Sequence, residues 1–148
     1  MRALDTSSSV AFIMLRFGAG GSVTALGERP ARPLELYEFE GCPFCRLVRE
    51  AITELQLDVR IYPCPPGGTR FRPEAHALAG GKTTFPFLVD KEHDVMMSES
   101  KDIIEHLWQT RAGKPAPKRS PLALPTSTIA SLLRGRRGAK ARRSNPPE

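Results

Sequence analysis

Long apolar runs are missing from this 148-residue chain. The longest, Val10 to Leu15, covers six residues, far short of the roughly 20 a membrane-spanning helix needs. No membrane partner is expected. Cysteine is scarce as well: there are three, and only two stand at a motif spacing. That argues against a secreted disulfide scaffold and for a reducing compartment. Tryptophan occurs once and tyrosine twice. No basic patch interleaved with aromatics appears ahead of residue 111, so nucleic acid is not an expected partner.

The net charge of +6 hides an asymmetry. From Arg111 onward, ten Lys and Arg residues stand against one acid, Glu148. Residues 1–110 hold twelve basic and fifteen acidic residues, so the folded part is mildly acidic and the basicity belongs to a tail. The length allows one modest domain, and 40% hydrophobic residues with seven phenylalanines can supply its core.

What is present centres on Cys42-Pro43-Phe44-Cys45. The alternating run Leu34-Glu35-Leu36-Tyr37-Glu38-Phe39 precedes it and a strongly periodic helix follows. Pro43 lacks an N–H and has φ preset, which suits the first helical position. Cys42 is then the N-cap, an exposed sulfur facing the unsatisfied N–H groups of Phe44 and Cys45. Those donors and the positive end of the helix dipole stabilise a thiolate, and Arg46 and Arg49 add charge nearby. Cys45 falls one turn in, within disulfide range. A Cys-x-x-Cys at such a strand-to-helix turn reads as a thioredoxin-like redox site. Lowering a thiol pKa from about 8.5 to about 6 raises the thiolate fraction at pH 7 roughly 30-fold. Intrinsic nucleophilicity falls about 18-fold, so the larger benefit is a good leaving group. A zinc half-site completed by Cys64 and His76 is the competing reading, but those distances match no common zinc spacing. No metal ligands are expected.

The periodicity predicts strands at Leu34–Phe39, Val59–Tyr62, Phe87–Val89 and Val95–Met97. It predicts helices after Cys42, with Leu47, Val48, Ala51, Ile52 and Leu55 on one face, at Pro73–Leu78, and from about Ser98–Ser100, burying Ile103, Ile104, Leu107 and Trp108. The order β-α-β-α-β-β-α is an α/β, thioredoxin-like layout. The domain is expected to span 34–110. Residues 1–33 form a leader or disordered segment whose composition fits a plastid transit sequence or an untargeted extension in the cytoplasm. Residues 111–148 form a basic tail with four prolines between Gly113 and Pro125, too poor in apolar surface to order itself. Ser8–Arg16 and Ser127–Arg134 resemble each other faintly. His76, His93 and His106 read as surface residues, Cys64 as an unreactive semi-buried thiol.

Several motifs resemble one group closely: Tyr37–Arg46, Tyr62-Pro63-Cys64-Pro65, Gly67–Pro73, Gly80-Gly81-Lys82, Phe85–Asp90 and Ser98–Ile104. These are the glutaredoxin-like proteins with a glutathione S-transferase N-terminal domain, found as tandem copies in photosynthetic organisms. The resemblance covers about 34–110, and a single copy without the helical domain of true transferases is expected. It implies a catalytic dithiol at Cys42 and Cys45 and glutathione as co-substrate. It also implies a cis-proline at Pro86, with Phe85 offering backbone groups to the tripeptide and Glu99 and Ser100 holding its γ-glutamyl end. Arg70, Arg72 or Lys82 would take the glycine carboxylate. The implied partners are glutathione and disulfide-containing or glutathionylated proteins. A non-catalytic glutathione-binding or interaction module and an iron–sulfur carrier are the alternative functions.

Overall fold

The computed structural model describes residues 20–119, 124–126 and 128–129. Its elements are β1 (Leu34–Glu38), α1 (Pro43–Glu54), β2 (Val59–Pro63), α2 (Phe71–Leu78), β3 (Phe87–Asp90), β4 (Val95–Met97) and α3 (Ser100–Ala112). The four strands lie in the order β2-β1-β3-β4. β1 and β2 run parallel, joined by α1 as a crossover, while β1–β3 and β3–β4 are antiparallel. This is the thioredoxin-like arrangement of a mixed sheet between helices.

Strand alternation sorts the two faces. Leu34 and Leu36 of β1 and Leu88 of β3 turn to one side, where α1 and α3 pack through Leu47, Val48, Ala51, Ile103, Ile104 and Leu107. Tyr37, Phe87 and Val89 turn to the other side, with Ala75 of α2 and Cys64. The register pairs Leu36 with Leu88 and Tyr37 with Phe87, so each face is continuous across the central strands.

α2 begins at Phe71, two residues ahead of the expected start. Pro73 is therefore its third residue, a position whose missing N–H lies in the first turn and has no intrahelical partner to lose. α3 begins at Ser100 with Glu99 as N-cap, and neither Ser98 nor Ser100 caps it. It ends at Gly113, whose φ of 61° supplies the left-handed C-terminal residue.

The packed unit runs past both edges of the expected 34–110 domain. Upstream, the N–H groups of Thr24 and Ala25 donate to the Glu54 carbonyl, that of Gly27 to Leu55 and that of Glu28 to Arg111. Gly27 sits so close that a Cβ there would be 2.8 Å from Leu57 Cδ2 and 3.0 Å from the Leu55 carbonyl. Downstream, Ala112 and Ala116 rest against the core. Arg119 reaches Glu50 at 3.2 Å and Glu54 at 3.4 Å. These carboxylates are one turn apart on a buried side of α1. The start of the tail thus docks through charge as well as apolar contact, which its composition does not announce. Leu124–Thr126, Thr128 and Ile129 are helical, and tail residues 120–123, 127 and 130–148 and the Ser8–Arg16 segment lie outside the described residues.

Candidate thiol site

Cys42 is the N-cap of α1, with extended backbone at φ −88°, ψ 118°, and Pro43 is the first helical residue. The Cys45 N–H donates to the Cys42 sulfur at 3.3 Å. That sulfur also lies 3.5 Å from the Phe85 carbonyl oxygen. Phe85 precedes Pro86 through a cis peptide bond. Cys42 is only 4% exposed and Cys45 is fully buried. The sulfur expected at the surface therefore turns inward, toward the helix N–H groups and the Phe85 backbone. Both thiols are free in this structure.

The two sulfurs have opposite acidities. The Cys42 thiol is lowered from 9.0 to about 7, chiefly by the side-chain hydrogen bond with Cys45. Burial opposes this, while the N–H groups of Cys45 and Phe44 assist. Cys45 is raised, first by that same hydrogen bond and then by burial. Arg46 and Arg49, expected to add positive charge at Cys42, are engaged by carboxylates instead. Arg49 contacts Glu40 at 2.9 Å and Glu38 at 3.6 Å. Arg46 is 3.6 Å from Glu50. Hydrogen bonding, not nearby cationic charge, makes Cys42 the acidic thiol. The buried Glu38 carboxyl works against it, since its charge raises both thiols, and burial in turn raises Glu38.

Of the residues assigned to glutathione, Phe85, Pro86 and Arg72 gather around this centre. The Arg72 guanidinium lies 4.5 Å from the centre of the Phe85 ring. It donates to the carbonyls of Cys64 at 3.0 Å and Pro65 at 3.2 Å. Arg70 is exposed, with its guanidinium 5.9 Å from the Phe71 ring instead. Glu99 is exposed at the head of α3 and makes no side-chain cap bond, and Ser100 follows it half-buried. Ser100 also borders a groove with Leu47, Ile104, Ala116 and Leu124, between α1, α3 and the tail. Cys64 is fully buried, and burial pushes its thiol up.

A second polar cluster lies where β3 ends, and the sequence reading missed it. His93, exposed as expected, and His106, expected on the surface but half-buried, both converge on the fully buried Asp90. Arg111 of α3 joins them. The readable signal is that strand alternation turns Asp90 to the Leu88 side, against α3, where a lone carboxylate needs partners.

Residues 36–115 match the family described as glutathione S-transferase, N-terminal domain. No curated protein matches the sequence. Among solved structures, a glutathione transferase of Bombyx mori is 23% identical with a TM-score of 0.44, covering 55% of this chain and 37% of its own. Glutaredoxin 2 of Salmonella typhimurium, in complex with glutathione, is 22% identical with a TM-score of 0.43, covering 73% of this chain and 45% of its own. The chain thus spans less than half the length of either.

Proposed function

Because this chain belongs to the glutathione S-transferase N-terminal domain family, we propose that it is a small glutathione-dependent thiol–disulfide oxidoreductase. The observation that carries this reading is the division between a Cys42 thiol lowered to about 7 and a buried, raised Cys45 one turn further in. One sulfur is the attacking group, and the other is held in reserve as a proton-bearing hydrogen-bond donor.

In the forward step the Cys42 thiolate attacks the glutathione sulfur of a protein–glutathione mixed disulfide. The Cys42–glutathione S–S bond forms, the original S–S bond breaks, and the protein sulfur leaves as a thiolate that takes a proton from water. Two routes then release Cys42. A second glutathione thiolate attacks the bound glutathione, giving oxidised glutathione and the Cys42 thiolate. Alternatively Cys45 loses its proton and attacks Cys42, expelling glutathione and forming the internal disulfide, which two further glutathione molecules reduce. The first step itself prepares Cys45: once Cys42 is no longer a thiolate, the hydrogen bond that does most to hold the Cys45 proton is gone.

For glutathione, the Phe85 backbone would pair with the cysteinyl unit. The exposed Glu99 carboxylate would meet the γ-glutamyl ammonium, and the N-terminus of α3 at Ser100 its carboxylate. Arg72, fixed over Phe85, suits the glycine carboxylate better than Arg70.

A non-catalytic glutathione-binding module is the second reading, favoured by the 4% exposure of Cys42. Steady-state reduction of a glutathionylated protein, with and without glutathione, tests the proposal. Turnover that requires glutathione supports it, and binding without turnover supports the module. Visible absorbance in the purified protein would instead indicate a cluster carrier.

A further inference from the structure

The Asp90 cluster is remote from the thiol reading and stands apart from it. Asp90 Oδ2 receives three donors: His93 Nδ1 at 2.9 Å, His106 Nε2 at 3.0 Å and Arg111 Nη2 at 2.9 Å. A carboxylate oxygen has two lone pairs, so three partners converge on more than it can serve well. Asp90 Oδ1 meanwhile accepts from the backbone N–H groups of Glu92 and His93 at 3.1 and 3.4 Å.

We propose that Asp90 Oδ2, His93 Nδ1 and His106 Nε2 form a binding site for a divalent late-transition cation, of which zinc(II) is the first candidate. The three ligand atoms lie within 4.8 Å of one another. Two ligands at right angles, each about 2.1 Å from a metal, stand about 3.0 Å apart, and a tetrahedral pair about 3.4 Å apart. The two oxygen–nitrogen separations are already at the shorter value. The nitrogen–nitrogen edge is set by His93, which rides on the turn between β3 and β4 and whose side chain is 35% exposed. That turn supplies the adjustment and the path from solvent.

Two imidazoles and one carboxylate form a donor set suited to zinc, cobalt or nickel rather than to magnesium or calcium. Each histidine would bind the ion as a neutral imidazole. The proton on the ligating nitrogen moves to the other ring nitrogen, so no net deprotonation is needed. The outer shell is built as well. Asp90 keeps its two backbone N–H donors on Oδ1. Arg111 Nη2 lies 3.3 Å from His93 Nδ1 as well as 2.9 Å from Asp90 Oδ2, so an incoming ion displaces the guanidinium from Nδ1, and Arg111 stays tied to Glu92 at 2.8 Å. With neutral imidazoles, Asp90, Glu92 and Arg111 sum to one negative charge, which favours a cation. A bound ion would staple the β3–β4 turn to α3.

The test uses the full-length, tag-free chain carrying Cys42→Ser and Cys45→Ser, so that the dithiol cannot compete for the ion. Titration with zinc(II) by calorimetry should give one site per chain with micromolar or tighter affinity, and the melting temperature should rise with zinc concentration. Cobalt(II) should bind without a sulfur-to-cobalt charge-transfer band. His93→Asn, on the exposed turn, and His106→Asn should each weaken binding by about 100-fold, at least the upper end of the 10–100-fold loss typical of outer-shell changes. If His106→Asn does not fold, imidazole ¹⁵N spectra of the histidine-intact chain decide. Zinc-induced shifts at His93 Nδ1 and His106 Nε2 support the site. Affinity weaker than about 1 mM, binding undiminished in His93→Asn, or shifts confined to His76 would overturn it.

Discussion

The sulfur of Cys42 lies 3.5 Å from the carbonyl oxygen of Phe85. The same sulfur accepts the Cys45 N–H at 3.3 Å. Each ionisation state of Cys42 therefore has a partner. The thiol donates toward Phe85 and the thiolate accepts from Cys45, so the sulfur keeps a hydrogen-bond partner in both charge states.

The two cysteines should fail differently. Cys42→Ser is expected to abolish reduction of a protein–glutathione mixed disulfide, while Cys45→Ser keeps much of it through the glutathione route. Initial rates for the two variants, measured beside the unmodified chain, check the assignment. Equal loss in both would remove Cys42 as the sole attacking sulfur.

Alkylation by iodoacetamide should follow the Cys42 thiolate. The thiolate is the reactive form, so the rate rises with pH and reaches half its plateau near pH 7, where Cys42 titrates. Because the Cys45 side chain is the largest cause of that lowering, Cys45→Ala should move the midpoint up toward 9. Cys45→Ser, whose hydroxyl still donates, should move it less. A midpoint that stays near 7 in the alanine variant would assign the acidity to the helix N–H groups alone.

Glu99 is exposed and caps nothing with its side chain, so it should matter for glutathione and not for folding. Glu99→Gln is expected to weaken glutathione binding by about 1.5–3 kcal/mol, the range for a charge-assisted hydrogen bond. Calorimetry gives the affinity and a thermal melt the control. Unchanged affinity with an unchanged melting temperature would place the γ-glutamyl group elsewhere.

The tail should contribute to stability through Arg119. Its guanidinium joins Glu50 and Glu54, both under one-tenth exposed. Arg119→Ala should cost roughly 1–3 kcal/mol, the range for leaving a buried acceptor short of its partner. Deletion of 112–148 should cost more, since it also removes the Gly113 terminus of α3 and the Ala112 and Ala116 contacts. Urea titration of both variants measures the difference. An intact midpoint in the deletion would mean that these contacts add nothing.

The fold was readable because local signals agreed with one another. Leu47, Val48, Ala51, Ile52 and Leu55 mark a single helical face, and the alternation of β1 fixes which side it covers. The placement of Cys42 as N-cap and Cys45 in the first turn was readable because Pro43 dictates where the helix starts. What the residues did not announce were contacts between charges distant in sequence. Arg111 and Arg119 look alike in a basic tail, yet one is buried against Asp90 and the other bridges α1. His106 looks like a surface residue until the turn at Asp90 is placed beside it. Pairings of this kind carry no periodicity, so spacing alone cannot find them. The inward turn of the Cys42 sulfur was missed for a related reason: it depends on Phe85, more than forty positions away.

The strap from Thr24 to Glu28 sets a limit on how this chain can be trimmed. Its N–H groups cover the last carbonyls of α1, at Glu54 and Leu55, and the Arg111 carbonyl in the final turn of α3. A processing protease that removed everything up to residue 33 would strip the ends of both helices together and uncover Leu55 and Leu57. A cut ahead of Gly20 would leave every one of those bonds in place. A chain trimmed ahead of Gly20 keeps these contacts, and one trimmed to the strand boundary loses all four bonds.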